Sequence, residues 1–221
     1  MTVVPRRYSL VVFDWDGTLS DSTAIIASSI QAALRDMGEP VPDESVARFV
    51  IGLGLDDAIR NVAPGLPKSR YGEVSKRYRE HYLARENDIR FFDGAIDLLR
   101  ELDAAGHLLA VATGKPRHGL DQALARSGLH ARFNATRCGD EGFPKPNPDM
   151  LLHIMDRLGV EPSETLMVGD TVHDVALARN AGVDAVAVAY GAHDRAELVR
   201  ATPLAVVGSV GELREWFAKR S

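Results

Sequence analysis

Along most of this chain short β-rich runs alternate with longer segments of helical period. That alternation restricts the fold more than any other feature, because strand and helix in repeated succession imply an α/β fold around a parallel sheet. Strands are expected at residues 9–13, 108–113, 133–136, 165–168, 185–188 and 204–207, and helices at 95–105, 118–127, 148–158, 172–181 and 211–219. One long stretch breaks the pattern. From Ser22 to Asn87 there is helical period only, interrupted at residues 38–42, 52–54 and 64–67. Within 68–86, Tyr71, Val74, Tyr78, Tyr82 and Leu83 fall along one stripe of an amphipathic helix. An all-helical insert behind the first strand reads as a lid over the core, or as an elaboration with no part in chemistry. The expected organisation is an α/β core from residues 1–20 and 88–221, with a small all-helical insert at 21–87.

Composition narrows the function classes. Lys and Arg number 26 against 31 Asp and Glu, a formal charge of −5, which offers phosphate backbones no concentrated basic surface and argues against nucleic acid as a partner. The single cysteine, Cys138, excludes an internal disulfide framework and a thiolate zinc site. Seven scattered histidines show no metal-ligand spacing. No run approaches the roughly 20 apolar residues that span a bilayer, so the expectation is a cytoplasmic protein with no membrane partner.

Four segments carry candidate chemistry. The first strand runs into Phe13-Asp14-Trp15-Asp16-Gly17-Thr18-Leu19. Residues i and i+2 of an extended chain point the same way, so Asp14 and Asp16 can face one site, at the strand end where open α/β sheets bind ligands. A cation between them would relieve their repulsion, as would a proton on one of them; an ordinary Asp-Gly turn has the same composition. A second apolar strand runs into Gly169-Asp170-Thr171-Val172-His173-Asp174. Asp170 and Asp174 could reach a cation there or could cap the following helix, and His173 is expected to be a solvated or packing residue. In Pro144-Lys145-Pro146-Asn147-Pro148-Asp149 the prolines stiffen a loop that aims Lys145, with Asn147 expected as N-cap and Pro148 as first helical residue. Ala112-Thr113-Gly114-Lys115 offers a hydroxyl and an unhindered N–H suited to a phosphate oxygen.

In chain order the segments supply two acids, the Thr113 hydroxyl, Lys145 and two more acids. Together they resemble the haloacid dehalogenase superfamily in its phosphoglycolate-phosphatase-like branch, with a Rossmann-like core and a helical cap between the first and second of these motifs. The resemblance implies a phosphatase acting on a small phosphorylated metabolite such as phosphoglycolate, as a monomer or homodimer. It makes Asp14 the nucleophile that becomes an aspartyl phosphate, and Asp16 the general acid and then base. Thr113, Gly114 and Lys145 would hold the phosphoryl group, along with Gly17 and Thr18. Mg²⁺ would be bound by the carboxylates of Asp14 and Asp170 and the backbone carbonyl of Asp16. Asp174 would support from behind, holding a metal-bound water or Lys145. The cap loop Gly52, Leu53, Gly54 would select the leaving group.

Departures within the resemblance sharpen it. Asp16 is the acid that haloacid dehalogenases lack, which favours phosphoryl chemistry. Gly114 stands where relatives often carry Asn. Residues 52–55 lack the Arg common in sugar-phosphate mutases, and Lys68 and Lys76 lie outside any Schiff-base motif. A sugar-phosphate mutase remains an alternative. So does a non-catalytic phosphoryl-binding module like a response-regulator receiver, although its motif order differs and it needs no cap. No GxGxxG follows the first strand to suggest a dinucleotide site.

Overall fold

The computed structural model describes residues 7–219; the first six and last two residues of the expected core lie outside them. The chain begins with β1 (Leu10–Phe13) and a two-residue β2 (Ser20–Asp21). Four helices follow, α1 (Thr23–Asp36), α2 (Glu44–Phe49), α3 (Leu55–Val62) and α4 (Tyr71–Arg85), and then β3 (Arg90–Phe91). The alternating part comprises α5 (Ala95–Ala104), β4 (Leu108–Ala112), α6 (Arg117–Ser127), β5 (Ala135–Arg137), α7 (Asp149–Leu158) and β6 (Thr165–Gly169). It ends with α8 (Val172–Asn180), β7 (Asp184–Val188), α9 (Arg195–Arg200), β8 (Ala205–Val207) and α10 (Val210–Ala218).

Six strands form one parallel sheet in the order β5-β4-β1-β6-β7-β8. The chain leaves β1 toward β4 and β5 on one side and returns to β6 on the other. The strand order therefore reverses at β1, where a crevice opens at the carboxyl ends and ligands bind in such sheets. Every residue of β1 is buried, as a central parallel strand covered on both faces requires. Val11 and Phe13 pack with Leu98, Leu99, Leu213 and Trp216 from α5 and α10. Leu10 and Val12 point the other way, into Leu151, Ile154 and Leu177 of α7 and α8.

The helices between β2 and β3 build their own apolar cluster from Leu34, Val50, Ile59, Val62 and Val74. β2 and β3 pair antiparallel beneath them, Ser20 opposite Phe91 and Asp21 opposite Arg90. That ribbon was not expected from the sequence, and neither was α9, a six-residue helix with only Leu198 buried. α7 starts at Asp149, not Pro148. Asn147 still closes the helix start, its side-chain oxygen accepting the Asp149 N–H at 3.0 Å.

Candidate active site

Asp14 extends β1 by one residue, its N–H donating to the Val168 carbonyl at 2.9 Å. This fixes its carboxylate at the strand end with 1% of the residue exposed. The chain then folds back tightly, with the Leu19 and Ser20 N–H groups donating to the Trp15 carbonyl. Gly17 permits the turn: its φ is +87°, and a Cβ there would lie 2.1 Å from Asp170 Oδ2.

Facing Asp14, β6 ends at Gly169 and delivers Asp170 and Asp174. Asp174 does two jobs. Its Oδ2 accepts the Thr171 N–H at 3.0 Å while Thr171 Oγ1 accepts the Asp174 N–H, which closes a capping box on α8. Its Oδ1, left over, sits 2.7 Å from Lys145 Nζ. The same ammonium lies 2.9 Å from Asp14 Oδ1. Asp174 thus pairs with Lys145 as well as closing the helix start. Asp170 is clamped from both sides, Oδ1 accepting from Thr18 Oγ1 at 2.8 Å and Oδ2 from the Ala192 N–H at 2.7 Å.

Charge balance decides what this cluster can hold. Asp14, Asp170 and Asp174 each offer an oxygen within 4.8 Å of the others, all buried, against the single ammonium of Lys145. Burial pushes the Asp14 carboxyl up, against the pull of Lys145. It pushes Asp170 up as well, with Asp14 and Asp174 adding repulsion. Asp174 stays below the usual carboxylate range: burial opposes this, but Lys145 and Thr171 outweigh it. Lys145 is held fully charged by Asp14 and Asp174 despite its burial. Neither oxygen of Asp14 accepts a well-oriented hydrogen bond among the described residues. A buried carboxylate cluster short of positive charge, with an oxygen left over, fits a hard divalent cation.

Asp16 is bound differently. Its Oδ1 accepts from Ser22 Oγ at 2.7 Å, and its Oδ2 lies 3.0 Å from Lys115 Nζ. Lys115 also donates to the Tyr82 hydroxyl at 3.0 Å and stands 4.8 Å from the centre of that ring. Burial works against the Lys115 charge, but Asp16 and Tyr82 keep it protonated. Ser22, Tyr82 and Lys115 are site residues that sequence reasoning gave no role. The available signal was a lysine directly behind the strand-end Thr113-Gly114.

Thr113 is buried, and its Oγ1 accepts the Lys115 N–H at 3.2 Å. Gly114 has a steric reason to be glycine: a Cβ would lie 2.7 Å from the Gly52 carbonyl oxygen and 2.9 Å from that of Leu53. The loop after α2 therefore rests directly on the second motif. Gly52 and Leu53 line the cavity above Asp14, whereas Gly54 faces Pro144, whose Cβ lies 2.7 Å from the position of an added Cβ. Thr18 donates its hydroxyl to Asp170 at 2.8 Å, and neither it nor Gly17 lines the cavity. His173 packs as expected, joined by His193: both donate Nε2–H to the Phe49 carbonyl, at 2.8 and 3.0 Å, and both rings pack on Phe49.

A strand-end carboxylate with a free oxygen, a fixed ammonium beside it and a second acid two residues on, at the switch point of a Rossmann-like sheet, suit phosphoryl transfer to a carboxylate. Comparison with known proteins agrees. Residues 11–188 match the family model described as haloacid dehalogenase-like hydrolase. The chain is 36% identical over 210 residues to a probable phosphatase, IndB, of Dickeya dadantii, covering 92% of this chain and 91% of that one. It is also 36% identical to the tyrosine-protein kinase PtkA of Mycobacterium tuberculosis, covering 93% of this chain and 71% of the other. A phosphoglycolate phosphatase of Vibrio parahaemolyticus is 29% identical, with 95% and 96% covered. Among solved structures, a predicted phosphatase from Clostridium acetobutylicum superposes with a TM-score of 0.85 at 27% identity, covering 96% of this chain and 99% of that one. The chain belongs to the haloacid dehalogenase-like hydrolases, in their phosphoglycolate-phosphatase-like branch.

Proposed function

We propose that this protein is a cytoplasmic, Mg²⁺-dependent phosphatase of small phosphate monoesters that works through an aspartyl phosphate on Asp14. The observation that carries the reading is the Asp14 carboxylate, buried at the switch point with an oxygen free of hydrogen bonds and Lys145 at 2.9 Å. One oxygen of Asp14 attacks phosphorus, forming a P–O bond as the ester P–O bond breaks. Asp16 gives its proton to the departing alkoxide. In the second half Asp16 takes a proton from water, the water oxygen bonds to phosphorus, and the bond to Asp14 is released. Lys145 neutralises charge on the transferring oxygens, while Thr113 and the Gly114 N–H receive the others. Asp14, Asp170 and the backbone carbonyl of Asp16 would hold Mg²⁺, which supplies the charge that lets a carboxylate approach a dianionic phosphate. Helices α1–α4 act as the cap, shielding the labile acyl phosphate from bulk water.

Phosphoglycolate is the substrate that the branch suggests, and the Vibrio relative's name supports it. The test is hydrolysis of an aryl phosphate with and without Mg²⁺, by the wild type and by Asp14→Asn. Metal-dependent release of phosphate, lost in the folded variant, is the expected result. Wild-type-like turnover by Asp14→Asn would exclude the covalent route. Transfer of phosphate from ATP to a tyrosine hydroxyl, with none to water, would move the protein toward the reading carried by the PtkA name.

A further inference from the structure

The cavity above Asp14 and Asp16 encloses about 360 Å³, within the range of small-molecule sites. Its floor is chemical and its walls are largely apolar, with Ser75, Glu86, His118 and Gln122 also on the lining. Above Thr113 and Lys115 it rises between α1, α3 and α4, against Ile26, Ile30, Ile59, Val62, Val74 and Tyr78. Leu55 and Leu83, on α3 and α4, also line it, and both are large apolar side chains left exposed. The rings of Tyr78 and Tyr82 stack at 5.8 Å on the cavity side of α4. The cations on this lining are Lys115, already paired with Asp16 and Tyr82, and Arg79 on the exposed face of α4.

Resting on the phosphatase reading above, we propose that the leaving group is an uncharged alcohol with an apolar, ring-bearing body, rather than the glycolate carried by the phosphoglycolate that the branch suggests. A glycolate carboxylate among Ile59, Val62 and Val74 would lose its water and find no partner. An apolar ring would bury its surface there and meet two aromatic faces. The phosphoryl end needs nothing from these walls, since the core supplies its charge.

The test compares 2-phenylethyl phosphate with ethyl phosphate, both esters of primary alcohols, so the chemical step is matched and the difference lies in binding. Phosphoglycolate and adenosine monophosphate complete the panel, all assayed with Mg²⁺. The expected result is a KM for 2-phenylethyl phosphate at least tenfold below that for ethyl phosphate, and a kcat/KM at least tenfold above that for phosphoglycolate. In Tyr78→Ala the ratio of the two KM values should fall toward one, with thermal unfolding reporting that the variant is folded. Equal KM values, or preference for phosphoglycolate or for the nucleotide, would overturn this inference and leave the phosphatase standing. Absence of turnover on every ester would remove both.

Discussion

Replacing Lys115 by Met tests the contact that joins the helical insert to Asp16, the proposed acid–base residue. The ammonium and the Asp16 carboxylate are 7% and 11% exposed as side chains, at 3.0 Å, so water screens them little. Removing one partner of a buried pair typically costs ~3–5 kcal/mol. Ser22 still donates to Asp16 at 2.7 Å, which places the expected loss at the lower end, about 3 kcal/mol. For a chain of this length that is a fall in Tm of roughly 6–12 °C. The same substitution in an Asp16→Asn background removes only the contact with Tyr82, worth about 1 kcal/mol, leaving about 2 kcal/mol of coupling between positions 16 and 115. Thermal unfolding of the four proteins measures it. Turnover should fall as well, because Asp16 loses the charge that fixes its rotamer. Equal destabilisation by Lys115→Met in both backgrounds would show that the pair is not a working contact.

The remaining expectations concern other parts of the site. Lys145→Met leaves Asp14, Asp170 and Asp174 without a cation, so unfolding in EDTA should show a loss of ~3–5 kcal/mol. Saturating Mg²⁺, at a hundred times its Kd, should raise wild-type stability by ~2.7 kcal/mol; a Tm indifferent to Mg²⁺ would contradict the site. Gly114→Ala puts a methyl group against the backbone of Gly52 and Leu53, and the forced shift of that loop should cut kcat/KM on the order of tenfold or more, readable in steady-state kinetics. His173 is kept below its ordinary pKa, first by burial and then by His193. The unfolded chain therefore binds the proton more readily, so this contribution is complete above about pH 6.5 and is lost as pH falls below it. The difference in unfolding free energy between wild type and His173→Asn should shrink from pH 7.5 to pH 5.5, and a constant difference would refute it.

What could be read from the residues follows from the range over which each contact acts. The strands were legible because a parallel strand buried on both faces is continuously apolar, as in β1 and β6. Asp14, Asp16, Asp170, Asp174 and Lys145 were legible because each stands next to a strand end or a proline-stiffened turn, where composition alone marks the position. The two-residue β2 and β3 are shorter than any period, and α9 buries too little to print a stripe. Local reading falls short where a distant neighbour decides the contact. Nothing near Thr18 in the chain shows that its hydroxyl meets Asp170, 152 residues on. Tyr82 reads as one member of an apolar stripe, and only the packing of α4 on the core turns its hydroxyl toward Lys115. Gly114 looks like a lost amide, yet the Gly52 and Leu53 carbonyls occupy the space a side chain would need. The same logic applies to the substrate. Phosphoryl chemistry is carried by strand ends and shows in the motifs, whereas the leaving group is met by walls from three separate helices. Cavity chemistry, more than motif likeness, therefore bears on what this enzyme cleaves.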